Sequence, residues 1–292
     1  MKVGVHLPQW GAGATRKGVI EAAQAAESAG FDSLWVADHI VFPMESTSRY
    51  PYRADGVPFS PDDGFLEAFT TLAVAAGVTS RVELGTSVLV MPMREPLITA
   101  KVVSTLDVLS GGRTVLAMGA GWWQEEFEAL GQRFDARGRR FDEQIDILRD
   151  AWSHQSVSHD GEFYQFEELS CTPLPIQTGG PKLLIGGMGA LAHRRAATLG
   201  DGWHAVGADL EVLLAGRKAI DKIAADNGRD PSEIQISTSA GLSSDPGRAA
   251  DRVRSLAKGG VDHLIVNLRG EGVALLEEIE ATAGAVLSAA GA

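Results

Sequence analysis

Two short stretches of this chain place chemically capable residues next to predicted strand ends. In the first, Asp38 and His39 follow the apolar run Phe31–Ala37 directly. An imidazole with an ordinary pKa of ~6.5 can hold or release a proton near neutrality. The sequence therefore offers His39 as a general acid or base at the end of a strand. A histidine that only caps the strand end and bonds to backbone is the alternative.

The second stretch is a glycine-rich turn between a strand and a helix. Gly186, Gly187 and Gly189 follow the apolar residues 183–185, and a helical pattern begins immediately after them. Unpaired N–H groups and the positive end of the helix dipole favour a phosphate at this point. Residues 187–192 fit the dinucleotide pattern G-x-G-x-x-G/A, but a lone match also suits a plain tight turn. Its position past the middle of the chain argues against an ordinary Rossmann opening.

The elements that must position these residues alternate regularly along the chain. Strand patterns start near residues 3, 32, 82, 113, 182, 202, 234 and 262, and a helical pattern follows each of them. Such βα alternation is typical of a parallel sheet, and eight units can close on themselves. We predict an α/β fold, a (β/α)8 TIM barrel, as a single domain over residues 1–292. Polar residues at the carboxyl ends of the strands then become active-site candidates.

Two segments interrupt the alternation, after strands 2 and 4. Residues 40–63 contain four prolines, with Tyr50, Tyr52 and Phe59 among them, and show no sustained period. Loops of this length usually cover or bind something, so we predict a lid over the substrate. Residues 153–180 form the second insertion, with a strand or hairpin around 163–166.

Composition excludes several classes of function. A net charge of −12 disfavours nucleic acid and anionic membrane as partners. No run approaches ~18 apolar residues and no signal peptide is evident, which favours a cytoplasmic protein. The single cysteine, Cys171, excludes an internal disulfide and a multi-cysteine metal site. The spacing of the seven histidines does not suggest a metal site either.

Four motifs, in order and at predicted strand ends, resemble one known family. They are residues 30–39 (GFDSLWVADH), 84–89 (LGTSVL), 119–131 (GAGWWQEEFEALG) and 185–188 with 200–203 (IGGM and GDGW). The chain resembles the bacterial luciferase-like flavin and deazaflavin oxidoreductases. The loop Tyr50-Pro51-Tyr52 after Asp38 and His39 is similar to the branch that uses coenzyme F420, an 8-hydroxy-5-deazaflavin.

The resemblance implies roles for particular residues. Asp38 would lie near the deazaflavin ring, and His39 would handle the proton beside the hydride-accepting carbon. A non-proline cis peptide between Ser87 and Val88 would back the ring. Ala120 and Gly121 would line the edge of the ring. Backbone N–H groups of Gly186, Gly187, Met188 and Gly189 would hold the cofactor phosphate.

Two positions after the fourth strand leave alternatives open. Glu125 would contact the cofactor, or would simply complement the dipole of a helix that begins there. Trp122 stands where the sugar-phosphate dehydrogenase branch has a glutamate, which disfavours that activity. An aromatic cover over the site would come from Trp10, Tyr50, Tyr52, Trp122 and Trp123.

The function implied is hydride transfer between F420 and a small organic substrate, in a homodimer. The first alternative is an FMN-dependent monooxygenase that uses oxygen on the same barrel. A non-redox barrel that binds a substrate phosphate and a cofactor carrier without catalysis are further alternatives. The barrel mouth would hold the two reactants together and exclude water.

Overall fold

The computed structural model describes residues 1–51, 56 and 60–291, in which eight parallel strands close into a barrel. The strand order around the barrel is β1-β10-β9-β8-β7-β4-β3-β2. The predicted TIM barrel is therefore confirmed. The strands are β1 Lys2–His6, β2 Ser33–Val36, β3 Glu83–Val90, β4 Thr114–Gly119, β7 Lys182–Gly186, β8 Gly202–Val206, β9 Gln235–Ala240 and β10 His263–Val266.

Helices follow the barrel strands along the chain and pack against the outside of the barrel. Each barrel strand starts within one residue of its predicted start. The second helix begins at Ala68, because the Glu67 side chain accepts a hydrogen bond from Thr70 N and caps the helix there. The helices are α1 Arg16–Ala29, α2 Ala68–Val78, α3 Pro96–Ser110, α4 Gln124–Ala129, α5 Arg137–Ser153, α6 Ala190–Thr198, α7 Leu210–Asp226, α8 Pro246–Lys258 and α9 Val273–Ala290.

The insertion after β4 contains the predicted hairpin. Strands β5 Ser156–Asp160 and β6 Gln165–Ser170 pair antiparallel outside the barrel. The turn between them is fixed by Glu143 of α5, which accepts hydrogen bonds from Phe163 N and Tyr164 N. The hairpin is therefore tied to a barrel helix.

The barrel interior has a polar centre around Trp35, which is fully buried. A side chain at Gly4 or Gly85 would overlap Trp35, so glycine at both positions makes room for the indole. Ser33 Oγ accepts a hydrogen bond from Trp35 Nε1 at 2.7 Å and lies 2.7 Å from His263 Nε2. The buried polar groups of this layer are thus satisfied within the barrel.

Candidate active site

A cavity of about 820 Å³ opens at the carboxyl ends of the barrel strands. Its volume falls in the range of small-molecule and cofactor sites, and its position is the one that TIM-barrel enzymes use. The predicted site residues that border it are Asp38, His39, Ser87, Ala120, Gly121, Gly186 and Gly187, together with Val88. Met188 and Gly189 do not border the cavity, although both lie at its rim, in the turn between β7 and α6.

His39 is held on the wall of the cavity by a buried carboxylate. Its Nδ1 lies 2.8 Å from Oε2 of Glu126 in α4, and the two side chains are 8% and 1% exposed. With Oε2 of Glu126 as the acceptor of this bond, Nδ1 carries the hydrogen and Nε2 carries the lone pair of the neutral ring. The aromatic rings of Phe42, Phe65, Trp122 and Trp123 lie around this imidazole.

The other oxygen of Glu126 fixes the chain that follows His39. Oε1 accepts from Ile40 N at 2.7 Å and from Val41 N at 3.3 Å. One carboxylate therefore sets both the ring orientation of His39 and the path of the backbone next to it.

The Asp38 carboxylate points away from the open cavity and into an ion pair. Arg94 Nη2 donates to Oδ1 at 2.6 Å and Arg94 Nε donates to Oδ2 at 3.2 Å, so the pair is bidentate. Oδ2 also accepts from Val90 N at 2.9 Å. Asp38 thus joins the end of β2 to the end of β3, and its acceptor atoms are occupied by protein donors.

The floor of the cavity includes a cis peptide bond between Ser87 and Val88, which confirms the prediction made at that position. Ser87 Oγ lies 2.9 Å from His204 Nε2, and His204 Nδ1 lies 2.8 Å from Ser237 Oγ. Ser237 donates its hydroxyl hydrogen to Trp203 O, so it accepts from His204 Nδ1. His204 Nε2 is then an acceptor, and the Ser87 hydroxyl donates to it.

This chain of hydrogen bonds leaves Ser87 with acceptor capacity toward the cavity. Burial, together with the neighbouring His6, lowers the pKa of His204 to about 3, so its ring is neutral at pH 7. The Ser87 proton is committed to the interior, and lone pairs remain to accept from a bound N–H or O–H group.

The glycine turn after β7 matches its predicted form. Gly187 has φ +120, a conformation suited to glycine, and its carbonyl accepts from Trp203 Nε1 at 2.6 Å. Gly187 N bonds weakly to His204 O at 3.3 Å, whereas Gly189 caps α6 without a side-chain acceptor. The first amides of α6 therefore face the rim unsatisfied by any side-chain cap.

Residues 1–282 match the family model described as luciferase-like monooxygenase. The chain belongs to the luciferase-like monooxygenase family. The match covers all eight barrel strands, and with them every site residue described above.

Relatives within and around this family differ in cofactor. An uncharacterized protein of Mycobacterium tuberculosis (strain ATCC 25618 / H37Rv) is 35% identical over 86% of this chain and 84% of its own length. An FMNH(2)-dependent dimethylsulfone monooxygenase of Pseudomonas fluorescens (strain Pf0-1) is 30% identical over 79% of this chain and 57% of its own length. The solved structure of an F420-dependent secondary alcohol dehydrogenase in complex with an F420-acetone adduct superposes with a TM-score of 0.78 at 20% identity, covering 99% of this chain and 98% of that one.

In this luciferase-like barrel, Glu125 contacts a loop and does not border the cavity. Its carboxylate accepts from the hydroxyls of Ser48 and Thr47 and from Thr47 N, at 2.6 to 3.0 Å. These bonds, the Ser48 hydroxyl first among them, lower the pKa of Glu125 to about 2. Glu125 therefore ties residues 47 and 48 to the start of α4.

The predicted aromatic cover is present in part around the cavity. Trp10, Tyr50 and Trp122 border it, and Tyr50 packs edge-on against Trp122 at 5.2 Å between ring centroids. Trp123 is buried behind Trp122 and donates from Nε1 to Ser46 Oγ at 2.8 Å. Tyr52 and Phe59, which belonged to the predicted cover and lid, lie outside the described residues.

Three residues at this site are not among those predicted from the sequence. Glu126 follows Glu125 directly, and nothing in the residue types alone separates the two. Arg137 borders the cavity, donates from Nε to Gly121 O at 3.1 Å, and pairs with no carboxylate of the described residues. His6 also borders the cavity; burial lowers its pKa to about 4, and its Nδ1 has no hydrogen-bond partner among the described residues.

The residues present fit a large, flat, anionic cofactor. A Cβ atom at Gly186 would lie 2.9 Å from Val88, and a Cβ atom at Gly119 would lie 3.3 Å from Val88. Glycine at both positions therefore leaves this side of the cavity floor flat. The amides of α6 and the uncompensated guanidinium of Arg137 favour negative charge at the rim. Within the described ranges, no group of three or more histidine, cysteine or acidic side chains could hold a metal ion. No described helix is both long and apolar enough to cross a membrane.

Proposed function

We propose that this chain is an oxidoreductase that transfers a hydride between coenzyme F420 and a small organic substrate. The observation that carries the proposal is the His39–Glu126 pair on the cavity wall. Hydride delivery to a carbonyl carbon leaves negative charge on the oxygen, which requires a proton from a nearby acid. The reduced coenzyme supplies the hydride, and the chain has to supply that proton.

His39 is the proton-handling group in this proposal. Glu126 holds Nδ1, so Nε2 gives the proton during reduction or takes it during oxidation, and the carboxylate stabilises the charged ring. Glu126 acts through His39 and is a positioning residue.

The remaining predicted residues hold and orient the cofactor. Ser87, Val88, Ala120 and Gly121 would lie under and beside the ring, with Ser87 as a hydrogen-bond acceptor. Gly186, Gly187, Met188 and Gly189 would hold the phosphate at the start of α6, and Arg137 would add a positive charge there.

Two acidic residues, Asp38 and Glu125, support the site by holding neighbouring segments in place. Asp38 keeps the ends of β2 and β3 together through Arg94. Glu125 keeps residues 47 and 48 against α4, so the predicted lid starts from a fixed segment. Water exclusion over the reacting atoms would come from the aromatic cover.

An FMN-dependent monooxygenase is the second candidate, and it is favoured by the FMNH(2)-dependent relative from Pseudomonas fluorescens. The same floor and phosphate seat would suit FMN. Reduction of oxygen also consumes protons, so the proton-handling pair would serve either chemistry. The resemblance of Tyr50-Pro51-Tyr52 to the F420 branch favours the first candidate.

A titration of the purified chain with F420 and with FMN tests both candidates. Tryptophans at positions 10 and 122 border the cavity, so their fluorescence should change on saturation. We expect saturable binding of F420, with weaker or absent binding of FMN. Saturable binding of FMN alone, with oxygen consumption when a flavin reductase is supplied, would support the monooxygenase instead.

A histidine comparison tests the role of His39. His39→Asn should bind F420 normally and lose ~10²-fold or more in turnover, the usual contribution of a general acid. His154→Asn is the matched control, because His154 is exposed at the end of α5. Equal turnover in both variants would remove His39 from the mechanism.

A further inference from the structure

The cavity floor is divided into two halves of different chemistry. Strand alternation places one inward-facing position of each strand at the mouth. On the β2, β3, β4 and β7 side these are small: Ala37, Ser87, Gly119 and Gly186. This half is flat and suits a planar ring, and it is the half that the proposed function assigns to the cofactor.

The other half of the floor is polar. Its inward positions on β8, β9, β10 and β1 are Val206, Ser239, Asn267 and His6. Val5 pairs with Val266, so the next residues, His6 and Asn267, stand side by side on neighbouring strands. His6 is partly exposed at the cavity, and no hydrogen bond from the described residues holds its imidazole. Polar groups gathered at a cavity without protein partners favour a ligand that supplies the missing hydrogen bonds.

A cation lies above this polar half. Arg269, in the loop after β10, borders the cavity, and its guanidinium pairs with no carboxylate in the described ranges. The loop itself is fixed, because Glu278 accepts from Arg269 N at 2.8 Å and from Gly270 N at 2.7 Å. Glu271 also borders the cavity, at the rim beside Gly11. Arg269 therefore offers an oxyanion a positive charge on an anchored loop.

We propose that the polar half is the substrate subsite and that it takes a small 2-oxo acid or the matching 2-hydroxy acid. Arg269 and Asn267 would bind the carboxylate, and His6 would donate a hydrogen bond to the oxygen on the neighbouring carbon. This inference rests on the proposed function for its chemistry, but the binding it predicts does not require the cofactor.

The reaction at this subsite balances as a two-electron reduction. The carbonyl carbon of the 2-oxo acid gains the hydride of reduced F420, and the π pair of the carbonyl moves to its oxygen. That oxygen gains the proton from His39, which gives the 2-hydroxy acid. The proton that the coenzyme releases on becoming oxidised returns to His39.

Isothermal titration calorimetry on the cofactor-free chain tests the subsite with matched probes. Lactate carries the carboxylate, lactamide is its neutral counterpart, and inorganic phosphate is a different oxyanion. We expect saturable lactate binding with a Kd below ~10 mM. Lactamide should bind at least ~10-fold more weakly, because it lacks the charge that Arg269 recognises.

Two variants localise the effect. Arg269→Gln should weaken lactate binding by roughly 10- to 100-fold, the usual effect of losing a charge-assisted bond. Lys258→Gln is the control: it removes the same charge from the exposed C-terminal turn of α8, at the far end of the barrel. His6→Leu should also weaken lactate binding. The thermal unfolding midpoint of this variant shows whether its barrel is intact.

Three results would overturn the proposal. They are equal binding of lactate and lactamide, unchanged lactate binding in Arg269→Gln, and phosphate binding without any lactate binding. Failure of F420 to bind in the separate fluorescence titration would refute the proposed function and leave the oxyanion subsite standing.

Discussion

Removing the Glu126 carboxylate should destabilise the barrel mouth far more than removing its neighbour Glu125. Glu126 is 1% exposed, and its carboxylate accepts from His39 Nδ1, Ile40 N and Val41 N. In Glu126→Ala the two closest donors lose their acceptor in a buried place, at about 1 to 3 kcal/mol each. We expect a loss of about 2 to 6 kcal/mol in the free energy of unfolding.

The glutamine variant separates stability from chemistry. In Glu126→Gln the amide oxygen still accepts from Ile40 N, but the NH₂ group cannot accept from His39 Nδ1. The loss in stability should therefore shrink to about 1.5 to 3 kcal/mol, the value of one charge-assisted bond. Turnover with F420 should still fall by ~10² or more, because His39 no longer has a carboxylate to orient it.

Glu125→Ala is the matched control on the same helix. Its carboxylate bonds to residues 47 and 48 at the protein surface, so we expect its removal to cost less than about 1 kcal/mol. Urea denaturation at pH 7, followed by tryptophan fluorescence, measures both losses. If Glu126→Ala costs no more than Glu125→Ala, the assignment of Glu126 as a buried anchor of His39 is wrong.

The remaining predictions concern acid and glycine. Because the folded pKa of Glu125 is about 2, against 4.5 in the unfolded chain, the stability that its contacts provide is complete above pH 4.5 and lost as the pH falls toward 2. Proteolysis within residues 40–51 should accelerate over that window, and Glu125→Gln should abolish the pH dependence. The folded pKa of His204 is about 3, so the unfolded chain is protonated first below pH 6.5. Urea midpoints should therefore fall between pH 6.5 and 4, and fall less in His204→Gln. At Gly121, with φ +80, a Cβ would lie 2.6 Å from Val90 and 2.7 Å from Phe127, so Gly121→Ala should cost about 2 to 4 kcal/mol in urea denaturation. Gly131→Ala, with φ +69 and open space, should cost only about 1 to 2 kcal/mol.

The fold could be predicted because each βα unit has its own local sequence pattern. Each apolar run of strand length is followed by a separate helical stretch, so the eight units are readable one at a time. The cis bond at Ser87 is different: no local pattern predicts it, and only the resemblance to a family supplied it.

The position of the candidate site at the strand ends could be predicted, but its hydrogen bonds could not. Asp38 and His39 do border the cavity, yet the Asp38 carboxylate binds Arg94, which is 56 residues later in the chain. Glu125 and Glu126 are adjacent, and consecutive helical residues point about 100° apart. Which of them faces His39 depends on how α4 is rotated about its own axis. Because both residues are glutamates, the sequence does not show which one points to the barrel.

The helical phase of α4 links the predicted lid to His39, the proposed proton-handling group. Glu126 faces the barrel and accepts hydrogen bonds from His39 and from the two residues that follow His39. Glu125 faces outward and accepts from residues 47 and 48, which belong to the same loop. Trp123, just before α4, binds Ser46 between these two points. The helix α4 and Trp123 before it therefore hold both ends of the segment 39–48. Any displacement of this segment that breaks its bonds to Glu126 must also disturb the orientation of His39, so under the proposed function substrate access and proton transfer would share one structural element.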